Sequence, residues 1–91
     1  VTQEGDFRAR AGLDRLLLTE AFGWDEPTFL ARTEGTAIRR AGYENFLRNV
    51  AVGLGNAPRS AEVLAALRAR ENDPSALVRE HVAWALARHA G

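Results

Sequence analysis

Residues 39–49, RRAGYENFLRN, gather three arginines, two asparagines and one tyrosine. Arg39, Arg40 and Arg48 end in planar forks that suit a carboxylate, a phosphate or an aromatic face. Asn45 and Asn49 add amide donors and acceptors, and the Tyr43 ring can stack on a base or ribose. Two chemistries fit these residues. One is a phosphate-contacting face with Tyr43 stacking. The other is structural stitching, with Arg39 or Arg40 paired to Glu34 or Glu44 and Arg48 bridging to a neighbouring helix. Spacing alone leaves both open. Asn45, Arg48 and Asn49 fall opposite the apolar stripe of their helix, where a core does not need them, and that weighs toward an outward role.

No catalytic constellation stands out elsewhere. His81 and His89 are the two histidines, and eight positions apart on one helix they are too far from each other to share a metal without further ligands. Glu80–His81 lacks the HExxH pattern. Ser60 and Ser75 sit where helix capping explains them. GLGNAP at 53–58 has glycines, but it ends a helix instead of following a strand and lacks the third glycine of a dinucleotide loop. The chain has no cysteine, which excludes disulfides, iron–sulfur ligation and a cysteine nucleophile within it.

These residues must be positioned by a small fold. Ninety-one residues suffice for one domain. With 46% apolar and 26% charged residues, the profile is that of a soluble globular protein, and no run is long enough to span a membrane. The first residues have no apolar signal segment. Beginning at Val1, the chain reads as a fragment of a longer protein. Net charge is zero but uneven: residues 1–31 hold three arginines against six acids, whereas residues 32–48 hold four against two. All twelve basic residues are arginine, a bias that base composition explains.

The periodicity is helical throughout, and no alternating strand pattern occurs, so the expected class is all-α. Residues 1–12 read as a linker or ragged edge, and 13–91 as one domain. Leu13, Leu16, Leu17 and Phe22 have helical spacing up to Gly23. Asp25 is placed to cap the next helix, with Trp24 and Phe29 at staple spacing. Thr36 caps AIRRA, which Gly42 ends. Tyr43, Phe46, Leu47, Val50, Ala51 and Leu54 form one apolar stripe. Ser60 caps a helix with Val63, Leu64 and Leu67 inward. Asp73 with Pro74 starts the last one, whose stripe is Val78, Val82, Ala85 and Leu86. The expected core includes Tyr43, Phe46, Leu47, Val50, Leu54, Leu64, Leu67, Val82 and Leu86.

VAVGLGN at 50–56 and VAWALAR at 82–88 align at an offset of 32. That period, with two helices per unit, is the mark of an α-solenoid. Small residues at Ala51, Gly53, Ala83 and Ala85 would let stacked helices approach closely.

RTEGTAIRRAGYENFLRNVAVGLGNAP at 32–58 resembles the C-terminal region of the epoxyqueuosine reductases, whose pattern is close to TEGSxIRRxGYExxLRNxAVALGN. DFRARAGL, WDEPTFLARTEG and SALVREHVAWAL are similar to the flanks of that motif, so the resemblance runs from about Phe7 to Ala87. Gly53 departs from the usual alanine. The resemblance implies a HEAT-like helical repeat of the phycobilisome-lyase type, with five or six helices in a right-handed stack. It implies a cytoplasmic parent enzyme that reduces epoxyqueuosine to queuosine in tRNA, and the chain itself is expected to be monomeric. The parent's iron–sulfur clusters and cobalamin are implied for upstream domains, with none in this chain. The RNA-contact candidates it carries over are Arg39, Arg40, Tyr43, Asn45, Arg48 and Asn49. Arg40 and Arg48 are expected to face outward, and Arg39, beside a buried Ile38, to be held in a salt bridge. The partners implied are tRNA and the upstream catalytic domain, with no membrane. The competing reading is a structural repeat that packs on that domain without touching RNA. A generic interaction module fits the specific motif less well.

Overall fold

The computed structural model describes residues 18–90, and the secondary structure among them is helical, with no strand. Helix α1, described over 18–21, leads into a turn at Phe22 and Gly23. It is followed by α2 (Glu26–Arg32), α3 (Ala37–Ala41), α4 (Tyr43–Asn56), α5 (Ala61–Ala69) and α6 (Ala76–Ala90). The expected linker over 1–12 and the apolar positions 13, 16 and 17 lie outside the described residues.

Local side-chain chemistry sets the helix starts. The Asp25 carboxylate accepts the Thr28 N–H at 3.0 Å, the Thr36 hydroxyl the Arg39 N–H and the Ser60 hydroxyl the Val63 N–H. Each satisfies a backbone donor that the first helical turn leaves unpaired. Bonds from the Thr28 side chain, and then from its backbone, hold the Asp25 carboxyl below its ordinary value of 3.8. The last helix corrects the expectation. Its cap is Ser75, whose hydroxyl accepts the Val78 N–H. Asp73 and Pro74 precede the helix, and the Asp73 carboxylate accepts the Ser75 N–H, closing the turn that delivers the cap.

α4 is the central helix. Phe46, Leu47, Val50, Ala51, Leu54 and Gly55 are all buried on it. It packs chiefly along α6, against Val78, Val82 and Ala85. The closest approach is at Gly55, where an added Cβ would stand 2.6 Å from the Trp84 ring and 3.0 Å from the Ala85 Cβ. The small residues that make this possible are therefore Gly55 and Ala85. Gly53 faces the Leu18 side chain, and Ala83 is exposed. At the other end, Trp24 stacks on Phe46 with centroids 5.7 Å apart, and Phe46 tilts against Phe29 at 4.8 Å. The residues expected to form a staple thus meet through Phe46 of α4.

α4 has no basic residue in its own last turn. α6 supplies them: Arg88 Nε donates to the Gly55 carbonyl at 3.2 Å, and His89 Nε2 to the Leu54 carbonyl at 2.8 Å. Carbonyls in the last turn of α4, at the negative end of its dipole, thus receive donors from the neighbouring helix, the Leu54 carbonyl in addition to the Ala57 N–H at 3.3 Å. The Ser75 hydroxyl also donates to Glu44 at the other end of α4, so α4 and α6 are joined at both ends.

Three residues expected in the core are less enclosed: Tyr43, Leu64 and Leu86 are half-buried. The Tyr43 hydroxyl is hydrogen-bonded to the Trp24 carbonyl, and the two leucines border an open groove between α5 and α6.

Candidate nucleic-acid interface

α3 is five residues long and buries none of them. Two glycines with positive φ bracket it, Gly35 at 79° and Gly42 at 97°. Residues with side chains rarely adopt that backbone, so the glycines let the chain turn sharply into and out of α3. The short helix consequently stands off the core. This corrects the expectation for Ile38, which is 37% exposed rather than buried on a helix that, among the described residues, buries no side chain. It corrects Arg39 as well. Among the described residues the ion pair is Arg70–Asp73, and Arg39 is exposed without a carboxylate partner.

Arg39 and Arg40 line one hollow of about 450 Å³ with Leu30, Gly35 and Thr36. Both guanidinium groups are exposed and free of ion pairs among the described residues. Thr36 has already committed its hydroxyl, donating to the Thr33 carbonyl at 2.7 Å. The cationic forks are thus the uncommitted polar groups of the hollow, and its apolar wall is Leu30, 36% exposed. Two adjacent forks on a raised turn can each approach an anionic oxygen.

The other candidates divide by helix α4. Asn45 and Asn49 are exposed, and the Asn45 amide donates to the Ala41 carbonyl at 3.0 Å, tying α4 back to α3. Arg48 is half-buried, and its Nε is enclosed with no hydrogen-bond partner among the described residues. Its stem is covered, so it is not the freely solvated cation that its helical position suggested. The structure therefore brings Arg39 and Arg40 together and sets Arg48 apart, a different pairing from the expected Arg40 with Arg48.

Tyr43 belongs to a structural knot. Its hydroxyl donates to the Trp24 carbonyl at 2.6 Å and accepts from Arg70 Nη2 at 3.0 Å, and its ring tilts against Phe29 at 5.5 Å. Arg70, at the end of α5, is the residue that sequence reasoning missed. Its Nε donates to the Phe22 carbonyl, Nη2 also to the Trp24 carbonyl at 2.7 Å, and Nη1 to Asp73 at 2.8 Å. The guanidinium lies 5.5 Å from the Phe22 ring centroid and 5.9 Å from that of Tyr43. One fork thus ties the α1–α2 turn to α4 and to the α5–α6 turn. Asp73 three positions on was the visible signal, but the carbonyls lie 46 and 48 positions away in sequence. Stitching by arginine is real here, and the residues that do it, Arg70 and Arg88, are outside the motif.

His81 and His89 are both spent on helix carbonyls, His81 on Leu77 at 2.8 Å and His89 on Leu54. Among the described residues no cluster of three potential metal ligands occurs. No helix among them is long and apolar enough to cross a membrane.

No protein-family model matches the chain, and no solved structure matches it. Curated proteins do. The epoxyqueuosine reductase of Xanthomonas campestris pv. campestris is 65% identical over 88 residues, covering 97% of this chain and 25% of that protein. That of Pseudomonas aeruginosa is 61% identical, covering 97% of this chain and 24% of the relative. That of Escherichia coli is 48% identical over 87 residues, covering 96% and 23%. The chain therefore spans about a quarter of the length of the curated relatives it matches. It belongs to the epoxyqueuosine reductase family, as the counterpart of a C-terminal portion of those proteins.

Proposed function

We propose that the chain is the C-terminal helical domain of an epoxyqueuosine reductase and that it helps to hold the tRNA substrate. The observation that carries this reading is the Arg39–Arg40 hollow, with two exposed guanidinium groups and no carboxylate to neutralise them among the described residues. Phosphate oxygens match that fork, and such contacts orient an RNA without reading its sequence. Asn45 and Asn49 are exposed on the helix that follows and could extend the contact to sugar or phosphate. Arg48 supports the contact at most through the outer part of its fork. Its enclosed Nε, without a partner among the described residues, suits an acceptor from outside them equally well, and this favours packing at that one position.

The architecture proposed is HEAT-like. α5 and α6 form one helix pair, and α4 is the inner helix of the pair before it. The echo between 50–56 and 82–88 supports this, since α4 and α6 lie side by side, as equivalent helices do in stacked repeats. The reduction itself is assigned outside this chain. Iron–sulfur clusters need thiolate ligands, and the chain has no cysteine, so its residues do not fit such a group. Cobalamin is likewise assigned to the remainder of the parent.

The test is binding of the chain to a fluorescent anticodon stem-loop across a salt series. A phosphate-held RNA should dissociate as salt rises, with a slope of about −0.7 per contact on logarithmic axes. Affinity that does not change with salt, or no binding at low salt, rejects the reading.

A further inference from the structure

The groove between α5 and α6 is separate from the Arg39–Arg40 hollow and unused by the function above. It encloses about 690 Å³. Its apolar lining includes Leu64 of α5 and Leu86 of α6, both half-buried, beside the fully buried Val82. Helical period directs both leucines toward a neighbour, but no element among the described residues closes over them. Exposed Ala83 and Ala87, one turn apart on α6, present no bulk that would keep a partner's backbone away.

The charge around the groove is one-sided. Arg59, Arg68 and Arg79 line it against a single carboxylate, Glu71. Arg79 is spent on the carbonyls of Asp73 and Pro74. Arg59 and Arg68 are exposed with no ion pair among the described residues. His89 contributes no free donor from Nε2, which is bound to Leu54.

We propose that this groove docks an acidic amphipathic helix of a protein. The leucines would take the apolar stripe of that helix, and Arg59 and Arg68 its flanking carboxylates. An RNA fits less well. Phosphates gain nothing from Leu64, Leu86 and two alanines, and no exposed aromatic lines the groove to stack a base. The 15 residues of α6 offer a track for a helix of about four turns.

The test uses the whole chain and three labelled probes in fluorescence anisotropy. The first is a synthetic helix about as long as α6, with leucines at i, i+3, i+4 and i+7 and glutamates elsewhere. The second replaces every glutamate by lysine, and the third is oligouridylate. The glutamate helix should bind saturably, and the lysine helix about tenfold or more weakly. Arg59→Glu with Arg68→Glu should weaken the glutamate helix by about tenfold while the thermal melt stays in place, since both side chains are exposed. Amide chemical shifts of the unmutated chain give an independent reading and should move along α5 and α6 when the glutamate helix is added. No binding, equal binding of both helices, unchanged affinity in the double variant, or shifts confined elsewhere overturns the proposal. Displacement of the helix by oligouridylate would assign the groove to RNA instead and also overturn it. The salt-dependent stem-loop binding expected of the Arg39–Arg40 hollow is unaffected by any of these results.

Discussion

Replacing Arg70 by alanine should destabilise the fold far more than replacing any arginine of the RRAGYENFLRN motif. The cost follows from what each partner loses. Trp24 keeps the Tyr43 hydroxyl on its carbonyl, and Asp73 keeps the Ser75 N–H. The Phe22 carbonyl, beside a Phe22 side chain that is 1% exposed, loses the bond from Arg70 Nε. An orphaned enclosed carbonyl costs about 1–3 kcal/mol. The charge-assisted bonds to Trp24, Tyr43 and Asp73 add about 0.5 kcal/mol each after discounting for solvent, because the Arg70 side chain is still 17% exposed. The sum is about 3 kcal/mol, a large share of the roughly 5–14 kcal/mol expected of a domain this size. Urea denaturation followed by circular dichroism should show it as a lower midpoint at unchanged slope. The thermal midpoint should fall by roughly 12–24 °C. Arg70→Lys should recover less than half of the loss, because an ammonium cannot address carbonyls at both Nε and Nη2. A loss below about 0.5 kcal/mol in Arg70→Ala would refute the knot as a stabilising element.

Gly55→Ala should destabilise by about 1–3 kcal/mol, since the new methyl meets the Trp84 ring and the Ala85 backbone. Gly53→Ala should be neutral or stabilise by up to about 1 kcal/mol, because the helix gains propensity and the methyl meets only the movable tip of Leu18; equal effects of the two changes in thermal melts would contradict the packing. Leu47→Ala should cost about 2–5 kcal/mol, as Leu47 is 1% exposed in the middle of the core. The carboxyl of Asp25 is held below 3.8 in the folded chain, so its contribution to stability is present above that pH and is lost as pH falls through the lower folded value. Asp25→Asn should flatten stability against pH in that acid range, and an unchanged profile would show that the cap carries no linkage.

Local chemistry was the legible part of the sequence. Asp25, Thr36 and Ser60 cap as their types and positions indicate, because a cap bonds its own first turn and needs no distant partner. The α4 stripe was legible because every residue from Phe46 to Leu54 on it meets the same core. Asp73 was misplaced as a cap because two capping residues stand two positions apart, and only the turn geometry selects Ser75. Leu64 and Leu86 show a further limit. Periodicity gives the side of a helix that faces a neighbour, but not whether a later element covers the seam. Ile38 fails for the same reason, on a helix that the bracketing glycines lift away from the core. Arg70 was invisible because its bonds join residues 46 and 48 positions apart through backbone carbonyls, and carbonyls carry no sequence signature. In the candidate site the motif was plain, yet the division of labour within it was not. Burial of the Arg48 stem depends on what packs around α4, and the freedom of Arg39 depends on the lack of a nearby carboxylate among the described residues.

The central claim is that Arg39 and Arg40 hold RNA phosphates. It is tested most directly by measuring tRNA affinity of the full-length parent, and of its Arg39→Ala, Arg40→Ala double variant, from low to moderate salt. The double variant should bind more weakly at low salt, with a log–log slope flatter by about 1.4, the loss of two phosphate contacts to loop RNA. Its melting profile should match that of the parent, since both side chains are exposed and free of ion pairs among the described residues. Equal affinity and equal slope, or a lower melting temperature at unchanged affinity, would contradict the claim.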